Sequence, residues 1–283
     1  MSNPNLVSTE WLAERLGEPG VIPVDGSWYL PDARRDGEAE FLQRHIPGAV
    51  FFDINAVADT STGLPHMLPS PEVFAEAVGA LGIGHGATLV AYDGAGLFSA
   101  PRVWWTFRAM GVEKVFILDG GFPKWLAEGR PVESGAASRA PTEFRARFDP
   151  SAVKDADAIA AGIVSSAFQV VDARPAPRFR GEAPEPRPGL ACGHIPGSVN
   201  LASSGLVKEG RLAETEELRR MFEAAGIDVS QPIVTTCGSG VSAAIVALAL
   251  ESVGSTAAGL YDGSWADWGA GGRPVVTGPA KTG

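Results

Sequence analysis

The sequence predicts an α/β protein built from two tandem copies of one domain, each a parallel sheet flanked by helices. Three observations support this fold class: segments of one half recur in the other, short apolar strands alternate with helices, and the chain has 283 residues. That length suits about two domains of roughly 100–200 residues each. Strands that alternate with helices predict parallel pairing with helices covering both faces of the sheet.

The internal repeat is visible as four landmarks that return in the same order. HIPGAV at 45–50 returns as HIPGSV at 194–199, and VD at 24–25 returns at 171–172. TLVAYD at 88–93 matches PIVTTC at 232–237, and LDGG at 118–121 matches YDGS at 261–264. A spacing of 143 to 149 positions is far too long for a solenoid. We therefore predict a first repeat over 1–130, a linker over 131–153 and a second repeat over 154–283.

The elements follow from the same pattern, taken in chain order. Ser8 is a suitable N-cap for the first helix, and β-branched runs bounded by turn residues indicate the strands. The predicted elements of the first repeat are a helix over 8–16, strands over 21–24 and 49–52, a helix from 71 to 81, a strand over 88–92, a helix over 101–110, a strand over 115–118 and a final helix with Trp125. Parallel sheets bind ligands beyond the carboxyl ends of their strands.

Composition excludes several classes of partner. The formal net charge of −10 argues against nucleic acid and anionic membranes as partners. Two cysteines, Cys192 and Cys237, are too few for a disulfide scaffold, although the sequence leaves a single bridge open. The first residues lack the pattern of a secretory signal, and no apolar run is long enough to cross a membrane. We therefore expect a reducing, cytoplasmic location.

Cys237 is the strongest candidate for a catalytic group. It ends a predicted strand, and the small loop CGSGVS leads from it into an Ala/Leu-rich helix. Backbone N–H groups of such a loop converge on one point, where a thiolate nucleophile is favoured. The alternative is a buried structural cysteine, which is common. Because the first repeat carries Asp93 at the matching position, the fold itself does not need a cysteine there.

Together, the tandem HIPG turns, the CGSGVS loop and the YDGSW segment resemble the two-domain rhodanese-type sulfurtransferases. Within that family, the loop is similar to that of the 3-mercaptopyruvate sulfurtransferases. The resemblance implies two rhodanese-like domains and sulfur transfer from 3-mercaptopyruvate through a Cys237 persulfide, with release of pyruvate. The acceptor would be cyanide or a thiol such as thioredoxin, and neither cofactor nor metal would be needed.

The resemblance also implies roles for further residues. Arg178 and Arg187 match substrate-binding arginines, whose guanidinium groups suit an α-keto acid. Ser239 and His66 match a relay that takes the proton of the substrate thiol, but Asn55 stands where some members have aspartate. The loop residues that would contact the transferred sulfur are Gly238, Gly240, Val241 and Ser242. Arg174 and Arg180 are expected to be structural or exposed to solvent.

Two alternative functions remain open, and two others lack a residue or motif that they would require. Thiosulfate-preferring members of the family carry basic residues directly after the cysteine, whereas Gly238 and Ser239 are uncharged. A non-catalytic sulfur carrier or interaction module on the same fold remains an alternative. A cysteine phosphatase would need an arginine where Ala243 stands. A serine hydrolase would need a Gly-x-Ser-x-Gly elbow, which the residues around Ser239 do not form.

Overall fold

The computed structural model describes residues 3–137 and 139–280. The first repeat is a five-stranded parallel sheet with the strand order β1-β5-β4-β2-β3. Its strands are β1 (Leu6–Val7), β2 (Val21–Asp25), β3 (Val50–Phe51), β4 (Thr88–Tyr92) and β5 (Val115–Leu118). Its helices are α1 (Thr9–Arg15), α2 (Gly37–Gln43), α3 (Pro71–Ala80), α4 (Ala100–Ala109) and α5 (Gly121–Ala127).

The second repeat contains the same sheet, in the order β6-β12-β11-β7-β8, and adds a two-stranded hairpin of β9 and β10. Its strands are β6 (Val153–Lys154), β7 (Gln169–Asp172), β8 (Val199–Asn200), β9 (Val207–Lys208), β10 (Arg211–Leu212), β11 (Ile233–Thr236) and β12 (Gly259–Tyr261). Its helices are α6 (Ala156–Ser165), α7 (Ala176–Phe179), α8 (Ser203–Leu206), α9 (Thr215–Ala224), α10 (Ala243–Ser252) and α11 (Ser264–Trp268).

The two sheets correspond strand for strand, which confirms the predicted α/β fold of two tandem parallel sheets flanked by helices. The bounds of β4 and β5 coincide with the prediction, and Ser8 caps α1 by accepting a hydrogen bond from the backbone N–H of Trp11. β3 has two residues instead of the predicted four. The edge strand β1 and the β9–β10 hairpin were not predicted, because two-residue strands carry too little pattern.

The HIPG turns are structural in both repeats. His45 Nδ1 donates to the carbonyl of Phe41 at 2.7 Å, and its ring stacks on the Phe41 ring. In the second repeat, His194 makes the same bond to the carbonyl of Phe179 at 2.9 Å and stacks on that ring. Because both histidines are buried and bonded alike in both repeats, we assign them to the turn and not to the chemistry.

The two repeats share one hydrophobic core. α4 of the first repeat packs against α10 of the second, and side chains of both repeats form one continuous buried cluster. The first eight residues of α10 are all buried, as expected for a helix that is apolar on every face. The first repeat therefore faces the loop that precedes α10. None of the helices in the described part of the chain is long and apolar enough to cross a membrane.

Candidate active site at the Cys237 loop

Cys237 lies where β11 ends, and its side chain is buried, with 2% of the residue exposed. The loop 237–242 is anchored by the start of α11. The carbonyls of Cys237 and Gly238 each accept a backbone N–H at 2.9 Å, from Trp265 and Ala266 respectively. The YDGS motif at 261–264 leads directly into α11. This repeated motif therefore belongs to the segment that supports the Cys237 loop.

The matching loop of the first repeat shows which ligand this backbone geometry favours. Asp93 Oδ2 accepts hydrogen bonds from the backbone N–H groups of Phe98, Ser99 and Ala100 at 2.7, 2.9 and 2.8 Å. Its Oδ1 accepts from Ala95 at 2.9 Å. Ala95 corresponds to position 239, and because α4 begins at Ala100 and α10 at Ala243, the three donors to Oδ2 correspond to positions 241–243. A loop that surrounds a carboxylate in one repeat is suited to surround an anionic sulfur in the other.

His66 reaches this loop from the first repeat, as the sequence predicts. Its Nδ1 lies 3.1 Å from the Oγ of Ser239, and both side chains are buried. The edge of the Trp28 ring packs against the imidazole, with a centroid distance of 4.7 Å. His66 has a φ of 60°, in the left-handed region that few residues other than glycine adopt. Such strain persists only where neighbouring contacts impose the conformation.

The imidazole of His66 is held in its neutral form. Burial lowers its pKa to about 4, and the positive charges of Arg102 and Arg187 add to the decrease. Asn55 is exposed, and no hydrogen bond joins its side chain to His66 within the described residues. The third member of the relay is therefore not brought to the histidine, and no carboxylate among the described residues acts on His66 to favour the imidazolium.

Two charged residues that the sequence analysis missed hold His66 and the loop in place. Arg102 Nη1 lies 2.7 Å from the Asp262 carboxylate across the repeat boundary, and both side chains are 2% exposed. Arg102 Nη2 also donates to the carbonyl of His66 at 2.5 Å, and Nη1 donates to that of Gly240 at 3.4 Å. Asp262 accepts from the backbone N–H of Leu68 at 2.6 Å. The Arg102–Asp262 ion pair thus holds both the backbone around His66 and the loop that carries Ser239.

Gly240 is required where this clamp meets the loop. Its φ is 78°, and a Cβ there would lie 2.7 Å from Arg102 Nη1. Any side chain would both strain the backbone and displace the guanidinium group. The repeated DG motif was a sequence signal that could have drawn attention to Asp262. Nothing in that motif identified Arg102 as the partner of Asp262.

Arg178 is partly committed to an ion pair. Its guanidinium group forms a salt bridge with Glu185, a residue that the sequence analysis also missed. Glu185 in turn accepts from Arg174, which is buried against Asp172 and has a structural role, as the sequence predicts. A Cβ on Gly238 would lie 3.2 Å from Arg178 Nη2, so this guanidinium group lies directly over the loop.

Arg187 is the less committed of the two predicted substrate arginines. Its Nη2 donates to the Oγ of Ser239 at 3.4 Å, and no carboxylate lies within ion-pair distance among the described residues. Burial lowers the pKa of its guanidinium group, and the nearby charge of Arg178 adds to the decrease, while Cys237 and Glu185 oppose it. Because no described carboxylate pairs directly with Arg187, an anionic ligand would bind there favourably.

The sequence of this chain matches the rhodanese-like domain family over residues 8–128 and again over 155–270. It belongs to the rhodanese family. Human 3-mercaptopyruvate sulfurtransferase is 47% identical over 288 residues, with 98% of this chain and 97% of the human protein covered. Bovine thiosulfate sulfurtransferase is 44% identical over 271 residues, with 93% and 91% covered.

The three-dimensional comparison agrees. The crystal structure of SseA, a 3-mercaptopyruvate sulfotransferase from Escherichia coli, superimposes with a TM-score of 0.85 at 43% identity, covering 92% of this chain and 98% of that one. The prediction of a two-domain rhodanese is therefore confirmed. The second rhodanese repeat holds the cysteine, and the first supplies His66 and the Arg102 clamp.

The neutral state of His66 can be tested directly in this rhodanese. Its imidazole should titrate near pH 4 in the folded protein and near 6.5 in the denatured chain. Between these values the unfolded state binds more protons, so stability should fall as pH drops from 6.5 towards 4. NMR titration of the ring nitrogens gives the two midpoints, and His66→Asn should remove its share of the pH-dependent stability. A folded-state midpoint near 6.5 would contradict this picture.

Proposed function

We propose that this protein transfers sulfur from 3-mercaptopyruvate through a persulfide on Cys237 to a thiol acceptor such as thioredoxin, or to cyanide. One observation carries the proposal: the buried Cys237 loop has two uncharged residues after the cysteine, and two arginines from outside the loop reach it, Arg178 over Gly238 and Arg187 at Ser239. Positive charge for a carboxylate is thus supplied by side chains from a neighbouring segment and not by the residues directly after the cysteine.

The donor preference rests on this geometry more than on overall similarity. The human mercaptopyruvate enzyme and the bovine thiosulfate enzyme differ little in identity to this chain, at 47% and 44%. Thiosulfate places its sulfonate oxygens close to the attacked sulfur and needs cations there. Gly238 and Ser239 provide none, and Ser239 is already bonded to His66. The carboxylate of 3-mercaptopyruvate lies farther from its thiol, within reach of Arg187 and Arg178.

The donor step uses groups already in contact. The Cys237 thiolate attacks the substrate sulfur, the carbon–sulfur bond breaks, and its electron pair leaves as the enolate of pyruvate. The proton of the substrate thiol passes to the Ser239–His66 pair and then to the methylene carbon, giving pyruvate. Cys237 is left as a persulfide anion, which the loop N–H groups stabilise as an oxyanion hole stabilises oxygen.

The acceptor step regenerates the enzyme. A thiolate or cyanide attacks the outer sulfur of the persulfide, the sulfur–sulfur bond breaks, and Cys237 leaves as its thiolate. Cyanide gives thiocyanate, whereas a dithiol first takes the sulfur as a persulfide and then expels hydrosulfide as its own disulfide forms. This is covalent catalysis in two half-reactions, so ping-pong kinetics are expected.

Parallel steady-state kinetics with 3-mercaptopyruvate and with thiosulfate test the proposal. We expect kcat/KM to be higher for 3-mercaptopyruvate, and mass spectrometry after donor treatment should place one additional sulfur on the peptide that contains Cys237. Preference for thiosulfate would favour the alternative of a thiosulfate sulfurtransferase. A persulfide that forms without turnover would favour the sulfur carrier.

Arg187→Ala should weaken use of 3-mercaptopyruvate more than Arg178→Ala does. Loss of a charge-assisted hydrogen bond costs about 1.5–3 kcal/mol, or roughly ten- to a hundredfold in kcat/KM. Arg178 should give the smaller effect because Glu185 already occupies part of its donors. The matched control is Arg180→Ala, which removes a guanidinium group whose ion-pair partner among the described residues is Glu182. Equal kinetics for Arg187→Ala and the control would exclude Arg187 from the substrate site.

A further inference from the structure

The first repeat contains a cavity of about 490 Å³ beyond the carboxyl ends of β2 and β4. It is lined by Asp25 at the end of β2, by Ser27, by Arg44 before the HIPG turn and by Phe122 in α5. None of these residues takes part in the chemistry proposed above. The corresponding space in the second repeat indicates which chemical group the cavity could bind.

In the second repeat, the corresponding space is filled by the side chain of Arg174. Its Nε and Nη2 donate to both oxygens of Asp172 at 2.7 to 3.2 Å, and Nη2 also donates to the carbonyl of Gly193 at 2.8 Å. The guanidinium carbon lies 4.1 Å from the centre of the Trp265 ring. Arg174 Nη1 also pairs with Glu185 at 2.8 Å, so a buried planar cation is held by two carboxylates, a carbonyl and an aromatic face.

Three of these four partners, Asp172, Gly193 and Trp265, have counterparts in the first repeat that line the cavity. Asp25 ends β2 as Asp172 ends β7, Arg44 precedes the HIPG histidine as Gly193 does, and Phe122 takes the place of Trp265. The three counterparts are Asp25, Arg44 and Phe122, and all of them line the cavity.

The residue that differs is the one that would fill the space. Ser27 stands where the second repeat has Arg174. The backbone there is arranged alike in both repeats, since the N–H of Ser27 donates to Asp25 Oδ1 at 2.9 Å and that of Arg174 donates to Asp172 Oδ1 at 2.9 Å. The first repeat therefore keeps these three partners of a guanidinium group and lacks the group itself.

The buried carboxyl group of Asp25 favours a cation in this cavity. Asp25 is 3% exposed and has no cationic partner among the described residues. Burial raises the pKa of its carboxyl to about 7, the hydrogen bonds from Ser27 and Tyr92 oppose the increase, and the nearby charge of Asp93 adds to it. At the mouth of the cavity, Glu40 is already paired with Arg35, and Arg44 is exposed.

We propose that this cavity binds a small guanidinium-bearing molecule, with its planar cation between the Asp25 carboxylate, the backbone carbonyl of Arg44 and the Phe122 ring. A guanidinium group fits because it pairs with a carboxylate through two parallel donors and stacks on an aromatic face. An ammonium group would satisfy the charge but neither the fork of donors nor the stacking. This site lies in the repeat without the cysteine, so it does not depend on the proposed sulfur transfer.

Calorimetric titration of the full chain with ethylguanidinium at pH 8.5 tests the site, with ethylammonium as the matched probe. We expect one saturable site for ethylguanidinium and at least about tenfold weaker binding of ethylammonium, the scale of a lost charge-assisted hydrogen bond. Asp25→Asn should abolish binding, whereas Asp32→Asn, which removes an exposed acid of the same repeat, should leave it unchanged.

Ser27→Arg supplies the missing group from the chain itself. This variant should lose ethylguanidinium binding and unfold at a higher denaturant concentration than the wild type, with unchanged turnover. Absence of saturable binding to the wild type, equal binding of both probes, or binding that survives Asp25→Asn would each overturn the proposal. If Ser27→Arg does not fold, the comparison of wild type with Asp25→Asn still decides it.

Discussion

Cys237→Ser is expected to remove sulfur transfer while leaving the protein folded. A serine hydroxyl at this position does not ionise at neutral pH and cannot form a persulfide, so the first half-reaction loses its nucleophile and the second loses the persulfide that the acceptor attacks. Turnover should fall by at least about three orders of magnitude, the scale expected when a covalent nucleophile is removed. Because the substitution changes one buried atom and no packing, the free energy of unfolding should change by at most about 1 kcal/mol. Steady-state assays and denaturant unfolding measure the two quantities.

Cys192→Ser is the matched control for this experiment. Cys192 is a free, exposed cysteine in the same repeat. Its replacement should leave turnover unchanged, and the added sulfur should still be found on the peptide that contains Cys237. Transfer that survives in Cys237→Ser and disappears in Cys192→Ser would reverse the assignment. Loss of transfer in both single variants would indicate that sulfur passes between two thiols.

The fold could be predicted from the sequence because its signals are local and occur twice. The strands Thr88–Tyr92 and Val115–Leu118 are apolar runs with clear ends, and each repeat confirms the interpretation of the other. Cys237 could be identified as a catalytic candidate for the same reason. The offset between the repeats aligns it with Asp93, which shows that the fold does not require a cysteine at this position. The hydrogen bonds of Asp93 then showed, in the structure, what the loop geometry accepts.

The clamp between Arg102 and Asp262 could not be predicted, because it depends on how the repeats pack. The two residues are 160 positions apart, and no local pattern distinguishes Arg102 from the other arginines of the first repeat. Glu185 was missed for a related reason. In the sequence it is one charge in a proline-rich loop, and only the fold shows that it bridges Arg174 and Arg178.

Arg102→Met is expected to destabilise the protein by about 3–5 kcal/mol, the usual effect of removing one partner from a buried ion pair. The loss is large because Asp262 would remain buried with only the N–H of Leu68 as a described partner. Pseudosymmetry supplies the control: Arg211 in the second repeat pairs with Asp119 in the first at 2.7 Å, but its side chain is 52% exposed. Arg211→Met should therefore cost at most about 1 kcal/mol. Denaturant unfolding of both variants gives the comparison.

Arg102→Lys separates positioning from stability. A lysine keeps the charge beside Asp262 but cannot donate to the carbonyls of His66 and Gly240 with one rigid fork. We expect kcat to fall while KM for 3-mercaptopyruvate changes little, because the two arginines that we propose bind the carboxylate, Arg178 and Arg187, are unchanged. The His66 ring should also lose its contact with Ser239, which would appear as changed ring-nitrogen shifts in NMR spectra. Unchanged kcat in a folded Arg102→Lys variant would show that Arg102 contributes stability alone and that the strained conformation of His66 has another cause.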